Sequence, residues 1–157
     1  MSKKLKAGLI GVGSMGRGHL DNYVKLLKED SDIEIVALCD IDEKKFTNYK
    51  ADFNLGPVGE DGYDFDRFRL YTDLDDLLEN ESLDMVTIAL PTYLHAWATV
   101  KCLDKGINVL CEKPMATTYE DCLRMIEASE RNGKFLMIGQ CLRFATPYLT
   151  LKKYVDE

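Results

Sequence analysis

The sequence predicts an α/β fold: a doubly wound, mostly parallel six-stranded sheet with helices on both faces. Six short apolar runs alternate along the chain with amphipathic stretches of helical spacing, which is the order of a parallel sheet with crossover helices. The run over 85–90 is short and apolar, as a parallel strand covered on both faces should be. A chain of 157 residues with 46% apolar content is long enough for one such core.

The first run, 7–10, leads into a glycine-rich turn and then into a helix with Leu20, Tyr23 and Leu27 on one face. The turn reads Gly-Val-Gly-Ser-Met-Gly over residues 11–16. Its glycines allow a sharp turn, a close approach of a diphosphate to the backbone, and close packing of the helix. The second run, 33–39, ends in Asp40, where the carboxylate that binds an adenosine ribose is expected. The pattern predicts a dinucleotide site.

The remaining elements follow in alternation. We predict a short helix over 42–53, a loop over 54–68, a helix opening at 72–73 and a helix over 93–105 that buries Trp97. A further helix is predicted to begin at a capping box of Thr117 and Glu120 and to end at residue 132. Its inward, apolar side is formed by Tyr119, Cys122, Leu123 and Ile126. The other predicted strands are 70–71, 85–90, 107–111 and 135–138. A last helix begins at residue 147.

Composition excludes several classes of function. A net charge of −7 and a pI near 4.9 argue against a nucleic-acid or anionic membrane surface, because phosphate binding needs clustered Lys and Arg. The five cysteines show no metal-type spacing, and no signal peptide or membrane span is visible. We therefore predict a cytoplasmic protein with no metal site.

Residues that follow strands in a parallel sheet gather at one edge, where ligands bind. The segment Glu112-Lys113-Pro114 follows the fifth strand, close to the expected place of a nicotinamide. A lysine there could bond a substrate hydroxyl, favour the alkoxide that hydride removal requires, and relay its proton. The alternative is a solvated Glu and Lys before a proline that starts a helix.

These segments together resemble the Gfo/Idh/MocA oxidoreductases. The matching stretches are 8–19, 39–40, 91–95, 106–116 and 139–144. The resemblance implies a Rossmann domain and NAD(P)-dependent hydride transfer at the CH–OH carbon of a sugar, inositol or related polyol. It further implies that Lys113 is catalytic and that a cis bond to Pro114 is to be expected.

The resemblance covers only the amino-terminal half of that family's architecture. We predict a dinucleotide-binding domain over residues 1–144 and, over 145–157, the start of a helix leading to an absent α/β domain. In the family that domain supplies an Asp and a His to the active site and builds the oligomer, so we expect a homo-oligomer at full length and a fragment that is itself inactive.

The position of residues directly after strands, at the ligand-binding edge of the sheet, and the resemblance together predict the cofactor contacts. Asp40 favours NAD over NADP, with NADP still possible because Lys44 and Lys45 lie nearby. His95 either lies near the nicotinamide or forms hydrogen bonds with the backbone. His19 is interpreted as a residue that packs within the first helix. The predicted contacts are Gly11, Val12, Gly13, Ser14, Met15, Gly16, Asp40, Ile41, Leu90, Pro91, Thr92, His95, Glu112, Lys113, Gln140 and Arg143.

Two other functions stay open at this stage. A non-catalytic NAD-binding sensor or interaction module would need the same turn and acid without the second domain. A methyltransferase could use a similar glycine turn and strand-end acid to hold S-adenosylmethionine. It would have no need of Glu112-Lys113-Pro114 after the fifth strand.

Overall fold

The computed structural model describes residues 4–29, 31–47 and 63–156. In these ranges six strands form one sheet in the order β3-β2-β1-β4-β5-β6, and every neighbouring pair is parallel. The predicted doubly wound sheet is confirmed. The strands are β1 (Leu5–Ile10), β2 (Ile33–Cys39), β3 (Arg69–Tyr71), β4 (Met85–Ile88), β5 (Asn108–Cys111) and β6 (Leu136–Ile138).

Helices cover both faces of this sheet. They are α1 (Ser14–Lys28), α2 (Leu74–Asn80), α3 (His95–Asp104) and α4 (Tyr119–Asn132). The last helix, α5 (Thr146–Asp156), has no buried residue. Where a helix was predicted over 42–53, the described part is a short 3-10 helix, Glu43–Phe46. Residues 48–53 of that prediction, and 54–62 of the predicted loop, lie outside the described residues. No helix among the described residues has the length and apolar content required to span a membrane.

The order of the strands reverses beside β1. From β1 the chain moves outward to β2 and β3, then returns to β4 and moves outward the other way. One apolar cluster joins β1 and β2 to α1, together with Phe65 and Phe68. Another joins residues of β1, β2, β4 and β5 to α2, α3 and α4. The crevice between the two halves of the sheet, β1–β3 and β4–β6, opens at the carboxyl ends of β1 and β4, which is where such sheets bind ligands.

The buried face of α4 differs from the prediction. Met125 and Ala128 are completely buried, whereas Tyr119 is 72% exposed and Leu123 and Ile126 are also exposed. The helix carries apolar side chains on two sides. It packs mainly against α3, and that contact selects the side that contains Met125 and Ala128.

Two other predictions at helices are wrong. The reciprocal cap at the start of α4 forms one residue later than predicted: the Asp121 N–H donates to the Thr118 hydroxyl, which donates to the Asp121 carboxylate. Trp97 is 43% exposed rather than buried. The Lys101 ammonium lies 5.0 Å from the centre of its ring, so the ring covers the outer side of α3 and the core side is left to smaller residues such as Ala98 and Cys102.

The turn after β1 brings α1 very close to the sheet. Gly11 has φ +91°, and a Cβ added there would lie 2.6 Å from the Ala89 carbonyl oxygen. A Cβ added at Gly16 would lie 1.9 Å from the carbonyl oxygen of Gly11. Both neighbours are backbone, which cannot rotate out of the way as a flexible side chain can. Only glycine fits at these two positions.

We predict that Gly16→Ala lowers the free energy of unfolding by about 3 kcal/mol or more, because the clash forces α1 away from the turn. The matched control is Gly18→Ala in the same helix, where an added Cβ meets nothing within 4 Å. This control should raise stability by about 0.5–1 kcal/mol through its better helix propensity. Urea unfolding followed by circular dichroism measures both. Equal stability of the two variants would contradict the packing described.

Candidate dinucleotide and active site

The start of α1 is open for an anion. Gly13 is the N-cap, so no side chain caps the first N–H groups of the helix, and the first turn contains no acidic residue. A Cβ added at Gly13 would meet nothing within 4 Å. Free N–H groups at the positive end of a 15-residue helix are suited to bind phosphate oxygens. This space fits the diphosphate of a dinucleotide.

Asp40 is fixed by two backbone donors. Its Oδ2 accepts the N–H of Val12 at 2.8 Å and its Oδ1 accepts the N–H of Asp42 at 3.0 Å. The carboxylate therefore joins the glycine turn to the segment after β2. Each oxygen keeps acceptor capacity for a ribose hydroxyl. The next residue, Ile41, is 90% exposed and offers an apolar surface beside this position.

Arg17 organises the same side of the site, and the sequence analysis missed it. The side chain is almost completely buried in α1. Its Nη2 donates to the carbonyl oxygens of Lys45 at 2.6 Å and Thr47 at 2.8 Å, and its guanidinium lies 5.7 Å from the ring centre of Tyr63. Arg17 thus holds the segment after Asp40 against α1. The available signal was its position directly after Gly16, at the buried start of the helix.

The segment after β5 is held through Glu112. The Glu112 Oε2 accepts the N–H of Lys113 at 3.1 Å, and Oε1 lies 2.8 Å from Nε2 of His19 on α1. The Glu112 side chain is 12% exposed and that of His19 is 22% exposed. His19 is therefore a partner of Glu112, not the packing residue that we expected. Lys113 is exposed, and its bond to Pro114 is cis, as the resemblance implied.

His95 links the loops after β4 and β5. It is 1% exposed, with Nδ1 2.9 Å from the Pro114 carbonyl oxygen and Nε2 2.8 Å from the Leu90 carbonyl oxygen. Of the two readings of His95, these contacts match the histidine that bonds backbone. The imidazole ring therefore connects two loops that border the crevice. Direct contact with cofactor remains a prediction.

The other predicted contacts also follow strands at this edge. Pro91 and Thr92 come after β4, with Thr92 opening a 3-10 turn, and Gln140 and Arg143 come after β6. Pro91, Gln140 and Arg143 are exposed. The fold therefore brings the predicted residues to the carboxyl edge, from Asp40 on one side of the crevice to Gln140 and Arg143 on the other. Which of them bind the cofactor remains a prediction.

Three cysteines in the core have unreactive thiols. Cys39, Cys102 and Cys111 are buried, and burial raises the pKa of Cys39 and Cys102 to about 12 and that of Cys111 to about 11. The thiolate is the reactive form, so these side chains stay protonated and unreactive at neutral pH. They do not provide a nucleophile.

Comparison with known families decides the assignment. Residues 5–140 match the family described as "Oxidoreductase family, NAD-binding Rossmann fold". The chain belongs to the Gfo/Idh/MocA oxidoreductase family. This match confirms the predicted Rossmann domain and, at the level of the family, NAD as the cofactor.

Two of the curated relatives are named as dehydrogenases. The chain is 35% identical over 154 residues to inositol 2-dehydrogenase of Salmonella typhimurium, covering 98% of the chain and 42% of that enzyme. It is 30% identical to 1-carboxy-3-chloro-3,4-dihydroxycyclo hexa-1,5-diene dehydrogenase of Comamonas testosteroni, covering 98% of the chain and 34% of that enzyme. The chain thus spans less than half the length of these relatives.

Solved structures agree with the family assignment. The WlbA dehydrogenase of Chromobacterium violaceum, crystallised in complex with NADH and UDP-GlcNAcA, superposes with a TM-score of 0.79 at 26% identity. The match covers 98% of this chain and 40% of that one. The WlbA dehydrogenase of Bordetella pertussis, also in complex with NADH and UDP-GlcNAcA, has a TM-score of 0.80 at 25% identity, covering 98% and 42%.

We predict that Gly13→Ala raises the Kd for NADH by about tenfold or more, because the new methyl group occupies the space through which the diphosphate approaches the helix. Stability should change little, since the position is open. Fluorescence titration of NADH measures the affinity, with Gly18→Ala as the control. An unchanged Kd for NADH in Gly13→Ala would exclude the start of α1 as the place where the diphosphate binds.

Proposed function

We propose that the protein is an NAD(P)-dependent dehydrogenase that transfers hydride between its cofactor and the CH–OH carbon of a sugar, inositol or related polyol. In this proposal the chain supplies the nucleotide-binding part. Lys113 is the catalytic residue, and its ammonium contacts the reacting hydroxyl.

One observation carries the proposal. Asp40 and Lys113 lie at the same carboxyl edge on opposite sides of the reversal in strand order, following β2 and β5. The open helix start at Gly13 lies between them in the sheet order. A dinucleotide with its ribose on Asp40 and its diphosphate on α1 would extend across the crevice toward β5.

Each group at this edge has a role that its chemistry allows. The N–H groups at the start of α1 bind the diphosphate, and Asp40 accepts the ribose hydroxyls. When bound, the nicotinamide accepts the hydride that leaves the carbinol carbon. The Lys113 ammonium donates a hydrogen bond to the oxygen of the substrate hydroxyl, which favours the alkoxide. It relays the hydroxyl proton by releasing one of its own protons to the acid–base pair proposed below for the further domain.

The substrate class rests on the relatives. Inositol 2-dehydrogenase is named for a cyclic polyol, and the two WlbA dehydrogenases were crystallised with a sugar nucleotide. A carbinol carbon is common to these molecules. The match to a family of NAD-binding oxidoreductases also favours this function over the methyltransferase.

Selectivity for NAD follows from Asp40. Its two oxygens are held by Val12 and Asp42, so the carboxylate has little freedom to turn away from a 2′-phosphate. A fixed negative charge repels that phosphate and accepts hydroxyls. We propose NAD as the preferred cofactor, with Lys44 and Lys45 reducing the discrimination against NADP.

The remaining parts of the site are proposed to lie outside this chain. Residues 1–144 form the dinucleotide-binding domain, and 145–157 lead into a further α/β domain. That domain supplies an acid–base pair and the contacts of a homo-oligomer. The exposed apolar side chains of α5, among them Leu151 and Val155, suit a helix that packs against such a domain.

The test of this function is Lys113→Met, which keeps an unbranched side chain, one heavy atom shorter, and removes its charge. In the full-length protein we expect NAD-dependent oxidation of at least one member of a polyol and sugar panel. We expect Lys113→Met to lower kcat/KM by about 10²-fold or more, the range of general acid–base catalysis, with the Kd for NADH within about threefold.

The matched control for this test is Lys105→Met. Lys105 is an exposed lysine at the end of α3, on the opposite edge of the sheet, and its loss should leave both kinetics and NADH binding unchanged. Full activity of Lys113→Met would exclude this lysine from the reaction. Absence of NAD reduction with every member of the panel would exclude the proposed reaction.

A further inference from the structure

The two histidines of the chain both contact the segment that contains Lys113. His19 contacts Glu112, and His95 contacts the carbonyl of Pro114. The residues on either side of the lysine are therefore each held by an imidazole from a helix. The contact from His95 belongs to the link between two loops described above, but the contact from His19 connects the segment to the helix that begins at the glycine turn.

The pair of His19 and Glu112 is shielded and well defined. The donor–acceptor distance is 2.8 Å, and most of both side chains is removed from solvent. A carboxylate accepts and does not donate, so Nε2 of His19 carries the proton of this bond. Charge-assisted bonds of this kind are shorter and stronger than neutral ones, especially where water is largely excluded.

Glu112 transmits this contact to Lys113. Its second oxygen accepts the Lys113 N–H at 3.1 Å. Its own N–H donates to the Ile88 carbonyl oxygen at 2.9 Å, which ties the residue to β4. On a further side, a Cβ added at Gly139 would lie 3.5 Å from the carboxylate, so the group rests against the backbone after β6. The carboxylate has no wide space into which it can turn.

We propose that His19 is a positioning residue for Lys113. By holding the Glu112 carboxylate, it fixes the backbone N–H of Lys113 relative to the start of α1, and therefore the direction in which the lysine side chain leaves the sheet edge. The helix that binds the diphosphate and the residue that contacts the reacting hydroxyl are thereby kept in register. The catalytic consequence rests on the function proposed for Lys113; the contact itself does not.

Three variants separate positioning from packing. His19→Phe keeps the ring volume and removes the donor. His19→Gln keeps an N–H donor the same number of bonds from Cβ as Nε2. His19→Asn places its N–H donor one bond nearer to Cβ, too far from Glu112 to reach it. Asn is less bulky than Phe, so this variant serves in place of His19→Phe if that variant fails to fold.

The first readout is the backbone amide of Lys113, observed by NMR after labelling with 15N-lysine. Loss of the His19 donor frees the Glu112 carboxylate, so the Lys113 amide resonance should move upfield in His19→Phe and His19→Asn and stay in place in His19→Gln. The second readout is steady-state kinetics of the full-length protein. Phe and Asn should lower kcat by about tenfold with the cofactor KM within about threefold, because small misplacements of a catalytic group are costly, and Gln should restore kcat.

An unchanged Lys113 amide and unchanged kcat in His19→Phe would overturn the proposal. An equal loss in Phe, Asn and Gln would also overturn it, because the side chain would then act through packing alone. If the unmutated protein oxidises no polyol or sugar, the function proposed above fails, and the amide resonance still decides whether His19 positions Lys113.

Discussion

The meeting of three backbone segments at the carboxyl end of β1 is the constraint on which the rest of this structure depends. The N–H of Gly11 donates to the Cys39 carbonyl at 2.8 Å, and the Ile10 carbonyl accepts from Ala89 at the same distance. The start of α1 then passes so close to the turn that Gly16 has no room for a Cβ. Because no side chain intervenes, the helix start is left open beside the crevice, and a place suited to a phosphate group results from the packing itself.

Two carboxylates extend this constraint along the sheet edge in the same manner. Asp40 accepts the N–H of Val12, and Glu112 accepts the N–H of Lys113. Each also has a second contact, Asp40 with the next turn and Glu112 with His19. Side chains whose acceptors hold backbone in place are preorganised, since little further ordering is needed when a ligand binds. Side chains thus hold the backbone by hydrogen bonds on both sides of the crevice, where ribose and nicotinamide are proposed to bind.

Local signals sufficed for the alternation of strands and helices, the glycine turn, Asp40 and the segment 112–114, because each depends on spacing within one βα unit. Contacts between distant elements did not follow from the sequence. His19 and Glu112 are separated by 93 positions, and nothing near either residue indicates the other. The buried face of α4 was missed for a related reason: Leu123 and Met125 are both apolar, and only packing against α3 determines which is covered. Propensity and periodicity are overridden by such tertiary contacts.

The central claim is that one edge of this sheet holds a dinucleotide from Asp40, across the start of α1, to Lys113. A crystal structure of the protein with NAD bound tests it most directly. The account predicts diphosphate oxygens within hydrogen-bonding distance of the N–H groups of residues 13–16, ribose hydroxyls on Asp40, and the nicotinamide ring beside the Lys113 ammonium. NAD bound elsewhere, or a Lys113 side chain directed away from the ring into solvent, would contradict it.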